Sequence, residues 1–291
     1  RRDGHTLILL YGAALDAPHP LGKADNAIFR VLRPDSFDGF IVASAALSAY
    51  SGAERVAELV RGLQPAKLCS LGIALEGIPS LVIDNRAGLA AAVEHLIQRH
   101  GCRRPFFLAG TPKNPDSEER YEAYLEVFER LHLPFDPNLV ACADFRNDLA
   151  RDAVDDALRR GVAFDSVVAS NDTMAIGATE TLRKWGRRVP QDIPVTGFDD
   201  QMLARVAVPP LTTVTQPFEQ MAELAVDSIV AQLAGRAVPD RVALPTRLVC
   251  RESCGCQAGE HPHPWDKLKS GKPAGSGLLD RVEALRPKPE E

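Results

Sequence analysis

The sequence predicts an α/β protein built on parallel sheets, and three observations support this. Short β-branched and apolar runs alternate with longer helical periods, as expected when each strand is followed by a helix that crosses back over the sheet. Polar residues crowd in directly behind three strand candidates, as Asp84-Asn85, Ser170-Asn171-Asp172 and Gly197-Phe198-Asp199-Asp200. Those are carboxyl ends, where open parallel sheets collect ligands. Finally, 291 residues that are 45% hydrophobic and 25% charged have globular composition and enough material for about two domains or one two-lobed one.

The elements follow in order. Strand candidates are Thr6–Leu10, Phe40–Ala43, Lys67–Leu71, Leu81–Ile83, Pro105–Leu108, Ser166–Ala169 and Ile193–Thr196. The spacing predicts a helix over Gly88–His100, with Leu89, Ala92, Val93, Leu96 and Ile97 on one face and Gly101 as its stop. Asp116–His132 and Asp148–Arg160 are further helices, the latter closed by Gly161, and another opens at Thr173. Pro217–Ala234 carries Met221, Leu224, Ala225, Ile229 and Leu233 on one side and ends at Gly235. Residues 257–291 hold five Pro and four Gly and almost no β-branched residues, so they read as a linker. Within it Leu278–Leu285 is the one helical stretch, too short to stand alone.

Composition also excludes function classes. A net charge of -5, from 34 Lys and Arg against 39 Asp and Glu, argues against a broad nucleic-acid face, which concentrates positive charge against phosphate. No apolar run approaches the roughly 18 residues of a membrane span, and no signal segment opens the chain. The six scattered cysteines, Cys69, Cys102, Cys142, Cys250, Cys254 and Cys256, fit reduced thiols in a cytoplasm better than a secreted disulfide scaffold. Arg1 is not an initiator residue, so a preceding segment is expected. There is no phosphate-cradling loop and no Gly-Xaa-Ser-Xaa-Gly elbow, and no cofactor is expected. Asp199-Asp200 as an acid/base pair lacks a nucleophile or metal beside it, so the chain reads as non-catalytic.

For each polar cluster the plain alternative is helix capping, but three converging on one sheet edge point to a ligand. Their sequence context supports this. Val168-Ala-Ser-Asn-Asp-Thr-Met-Ala-Ile-Gly177, Val189-Pro-Gln-Asp-Ile-Pro-Val-Thr-Gly-Phe-Asp-Asp200, Pro209-Pro-Leu-Thr-Thr-Val-Thr-Gln-Pro217 and Arg247-Leu-Val-Cys-Arg-Glu-Ser253, with Asp84-Asn85, Gly101, Arg120 and Tyr121 in order, resemble the sensor domain of the LacI/GalR (lactose-repressor) family. The resemblance covers about residues 5 to 256. It implies a two-lobed periplasmic-binding-protein-like fold with crossovers near Gly101–Arg104, Thr215–Phe218 and Leu244–Arg247. The first lobe would be residues 1–102 plus 217–245, the second 103–215 plus 246–256. Carried over residue by residue, the family's ligand contacts fall on Asp84, Arg120, Asn171, Asp199 and Gln216. Phe145 and Phe218 stand where an aromatic packs on the ligand's apolar face, with core packing as their alternative. This set suits a sugar or polyol, since carboxylates accept hydroxyl hydrogen bonds, Arg120 donates in a fixed fork, and Asn171 and Gln216 do both. For Arg120 the alternative is a salt bridge to Glu118 or Glu119 on a solvated helix.

Two departures from the family pattern matter. The strand and helix expected before Thr6–Leu10 are absent from the sequence, which would deprive that strand of its inner neighbour and the first lobe of some ligand contacts. There is no helix-turn-helix or basic arm, so specific DNA binding would need a separate headpiece. The Ser253-Cys-Gly-Cys256 ending resembles sensor modules fused to signalling outputs. Cys250, Cys254, Cys256, His261 and His263 form a conceivable metal set, but their irregular spacing makes structural or bystander thiols the default. His95 and His100, five apart, do not share an α-helical face, and Trp185 reads as packing. The expectation is a non-catalytic cytoplasmic sensor, homodimeric as the resemblance implies, whose small-molecule effector shifts one lobe against the other. The alternatives are a transport-associated solute-binding protein or a ligand-free dimerisation scaffold.

Overall fold

The computed structural model describes residues 4–17 and 24–257. Two four-stranded parallel sheets and one antiparallel ribbon organise them. The first sheet runs β1 (Gly39–Val42), β2 (Lys67–Leu71), β3 (Ser80–Ile83) and β9 (Arg241–Leu244). The second runs β5 (Val140–Cys142), β4 (Pro105–Ala109), β6 (Ser166–Ala169) and β7 (Val195–Thr196). The ribbon pairs β8 (Thr213–Thr215) with β10 (Arg247–Val249), and parallel bridges from Thr196 to Thr212 and from Asp199 to Thr215 attach it to the second sheet. The chain thus leaves the first sheet after β3, completes the second, and returns to the first at β9.

The fully apolar, buried runs of β3 and β6 are what a parallel strand covered on both faces requires. Helices supply the cover: Gly52–Arg61, Asn85–Glu94, Pro115–Arg130, Asn147–Arg159, Asp172–Lys184 and Phe218–Leu233. Leu89 and Leu96, on the second of these and its continuation, share a core with Phe107, Tyr124 and Phe128. That core also includes Ile83 of the first sheet and Val168 of the second, so it joins the two sheets through apolar burial. Tyr124 lies fully buried and stacks on Phe107 at 4.8 Å. Its hydroxyl donates to the Pro105 carbonyl at 2.9 Å, which removes the cost of burying a polar tip.

Among the described residues the expected strands and helices form within a few residues of their expected bounds, with one exception. Thr6–Leu10 is not a strand, and Leu7, Ile8 and Leu9 are exposed. A strand is stabilised by ladder bonds and cross-strand pairs, and no described strand offers them to this run. A second difference is local. The Asn85–Glu94 helix continues as a π-helix over His95–Arg99. Trp185 also differs from its packing expectation: it is 43% exposed, with its indole N–H donating to Asp155 at 2.9 Å.

Gly177 shows how closely the second sheet's helices approach. A Cβ there would lie 2.5 Å from the Asn147 carbonyl oxygen, a backbone atom of the facing helix. Gly177→Ala is therefore expected to cost about 1–3 kcal/mol by overpacking. Urea unfolding measures this, and an unchanged midpoint would contradict the close approach.

Candidate functional site

The carboxyl ends of β3, β6 and β7 deliver the polar clusters, and Arg120 ties them together. Arg120 sits on the Pro115–Arg130 helix and is 3% exposed. Its Nε donates to Asn85 Oδ1 at 2.8 Å and its Nη1 to the Ser170 carbonyl at 2.5 Å. Nη1 also lies 3.8 Å from Asp199 Oδ1, and the guanidinium stacks over the Phe198 ring at 3.8 Å. The planar, permanently charged fork suits such multi-partner burial. The solvated salt bridge to Glu118 or Glu119 is thus replaced by a buried knot.

Asn85, 2% exposed, completes that knot from the first sheet's side, donating to Asp116 and Glu119 at 2.9 Å each. Asp199 accepts from Gln216 Nε2 at 2.6 Å and from Gln201 Nε2 at 3.3 Å. Burial pushes the Asp199 carboxyl up from its ordinary range, opposed by Arg120 and the Gln216 hydrogen bond. Asp199 and Asp200 both have positive φ, 109° and 52°. This turn lets the two carboxylates diverge, with Asp200 pairing with Arg251 at 2.5 Å and Arg205 at 3.0 Å.

Asn171 caps the Asp172–Lys184 helix, accepting from the Met174 N–H at 2.8 Å, and donates to the Phe145 carbonyl at 3.1 Å. Phe145, at φ 59°, lays its ring where a Gly110 side chain would stand. Asp84 accepts from the Ala87 N–H at 2.9 Å as a helix cap and is itself exposed. Phe218 is 58% exposed at the start of its helix, not packed into the core. The structure therefore joins Arg120, Asp199 and Gln216 directly, joins Asn171 to Phe145, and leaves Asp84 and Phe218 outside both hydrogen-bonded groups. The fully buried Ser170 hydroxyl has no hydrogen-bond partner among the described residues.

Beneath this surface lies Asp172, fully buried. It accepts from Thr213 Oγ1 at 2.5 Å and from the Gln201 N–H at 2.7 Å. Burial pushes its carboxyl up to about 7, against the Thr213 and Gln201 hydrogen bonds and with help from the Asp199 and Asp200 charges. Sequence reading missed the roles of Asn85, Phe198 and the Ser170 carbonyl, because their shared partner, Arg120, lies 35 residues or more away in sequence. His261, His263 and Leu278–Leu285 lie outside the described residues.

The family model for the periplasmic binding protein-like domain matches residues 93–254. The chain is similar to the HTH-type transcriptional regulator CelR of Thermobifida fusca, 37% identical over 187 residues, which is 63% of this chain and 54% of CelR. It is also similar to the ribose operon repressor of Halalkalibacterium halodurans, 33% identical over 179 residues, 61% of this chain and 53% of that protein. The chain thus spans about half the length of these curated relatives. Among solved structures, the transcriptional regulator CelR–cellobiose complex superposes with a TM-score of 0.69 at 30% identity, covering 78% of this chain and 69% of that one. Among the described residues no helix is long and apolar enough to cross a membrane. The chain belongs to the periplasmic binding protein-like domain family, and its relatives are transcription regulators of the LacI/GalR type.

Proposed function

We propose that this chain is the non-catalytic sensing domain of a cytoplasmic bacterial regulator, taking a sugar or polyol as its effector. The observation that carries the reading is the knot of Arg120, Asp199 and Gln216, built from the second sheet and held to Asn85 beside the first. Donors and acceptors side by side are what a polyhydroxylated ring needs. Asp84, Asn171, Phe145 and Phe218 complete the ligand-binding set in this proposal, with the two lobes divided as residues 1–102 plus 217–245 and 103–215 plus 246–256. Asp199 is engaged by Arg120 and Gln216, not by a nucleophile, which favours binding over turnover. The cellobiose carried by the CelR structure supports a sugar as the ligand class.

An effector bound between the lobes favours whichever arrangement it contacts better, and that difference in affinity drives the output. DNA contact belongs to a separate headpiece, or the output is a signalling domain downstream. Exposed Met202, Leu203, Val206 and Val208 form an apolar segment suited to a homodimer contact. Thermal unfolding against sugars, polyols and nucleobases tests the reading, because a ligand selective for the folded state must raise the midpoint. One sugar class is expected to do so, and Asp199→Ala to abolish the shift. A shift that survives Asp199→Ala would place the ligand elsewhere.

A further inference from the structure

We propose that His95, His100, Cys254 and Cys256 form a structural zinc site, which staples the residues after β10 to the end of the helix that follows β3. In an α-helix, residues five apart point about 140° away from each other, which is why this histidine pair looks unrelated in the sequence. The π-helix over His95–Arg99 changes that, because its i→i+5 repeat brings such residues to one side. The two Nε2 atoms are 3.1 Å apart. Across from them, Cys254 Sγ lies 3.4 Å from His95 Nε2. Cys256 Sγ lies 3.4 Å from His95 Nε2 and 3.6 Å from His100 Nε2. All four ligand atoms lie within 4.8 Å of one another.

A metal ion demands particular separations. Tetrahedral zinc with N and S at their usual distances has edges of about 3.3 Å between nitrogens, about 3.5 Å between N and S, and about 3.8 Å between sulfurs. The four measured edges match the first two values to within about 0.3 Å. The charge also balances: two thiolates and two neutral imidazoles cancel a divalent cation, so the assembled site is neutral where Cys254 and Cys256 are 1% and 5% exposed. Four protein ligands close the coordination shell, the mark of a structural site. Binding converts two thiols to thiolates and releases two protons.

The surroundings support the ligands. Gly255 between the cysteines has φ 103°, and a Cβ there would approach the His100 ring to 3.3 Å, so glycine both makes the turn and leaves room for the imidazole. Thr212 Oγ1 donates to Cys254 Sγ at 3.0 Å, the kind of outer hydrogen bond that orients a ligand thiolate. Cys250 Sγ, 3.7 Å from His95 Nε2, stands beside the four as a neighbouring thiol. The histidines precede the passage into β4 and the cysteines follow β10, so the metal would fix how the chain leaves the two-sheet body.

The test is titration of the reduced, chelator-stripped full chain with Co2+ and then Zn2+. One equivalent of cobalt is expected to give thiolate-to-metal charge transfer and tetrahedral d–d bands, and one equivalent of zinc to bleach them and protect two thiols from modification. Cys256→Ser and His100→Ala lose the bands, whereas Cys142→Ser, at an exposed cysteine on β5, keeps them. If the first two variants fail to fold, the wild-type stoichiometry and thiol protection decide. Absence of the bands in the folded wild type, or their persistence in folded Cys256→Ser, overturns the site.

Discussion

Arg120→Ala is expected to lower the unfolding free energy by about 3–5 kcal/mol, the usual cost of removing one partner from a buried ion pair, and to abolish effector binding. The loss goes beyond the charge. Asn85 Oδ1 and the Ser170 carbonyl lose a donor, the Phe198 face loses its cation, and Asp199 keeps only its amide partners. Arg120→Lys restores a positive charge but not the fork, so it should recover part of the stability and little of the binding. Urea unfolding of the three proteins measures the series. A loss below about 1 kcal/mol for Arg120→Ala would mean that the guanidinium is solvated, as a surface pair would be.

The second large effect is a pH dependence centred on Asp172. Folded, its carboxyl keeps the proton up to about pH 7; unfolded, it releases the proton at about pH 4, as a free Asp does. Between those values the folded state binds more protons, so this group's contribution is fully present below about pH 4 and is lost as pH rises towards about 7. The slope is at most about 1.4 kcal/mol per pH unit. Asp199, also pushed up by burial, acts in the same direction, so the wild-type curve alone mixes the two. The difference between wild type and Asp172→Asn isolates the buried group. Urea midpoints at about pH 5 and about pH 7.5 should fall more in the wild type than in the variant, and equal falls would show that Asp172 is ionised throughout.

Much of the fold was legible because periodicity reports burial directly. The apolar runs at Lys67–Leu71 and Ser166–Ala169 form strands with those bounds, and the Leu89, Ala92, Val93 and Leu96 stripe is fully buried. Thr6–Leu10 has the same local pattern and forms no strand, because pairing depends on a neighbour that the run itself does not encode. The site divides in the same way. Asp199 was legible as a carboxylate behind a strand, and Arg120 and Gln216 only through the family resemblance, while the knot through Asn85 and Phe198 was not, since contacts across 35 or more residues leave no spacing signal. His95 and His100 mark another limit. Face arithmetic assumes α-helical repeat, and one π-turn is enough to bring together residues that it would set apart.

Sugar sensing by this chain is open to isothermal titration calorimetry of the folded protein with a panel of mono- and disaccharides. One-site binding is expected for at least one sugar, weakened by about tenfold or more in Gln216→Ala, the equivalent of about 1.4 kcal/mol for a lost hydrogen-bonding partner. Cooperative unfolding of the chain together with no binding heat from any sugar would contradict a sensing role. That result would leave the knot of Arg120, Asp199 and Gln216 with a purely structural part to play.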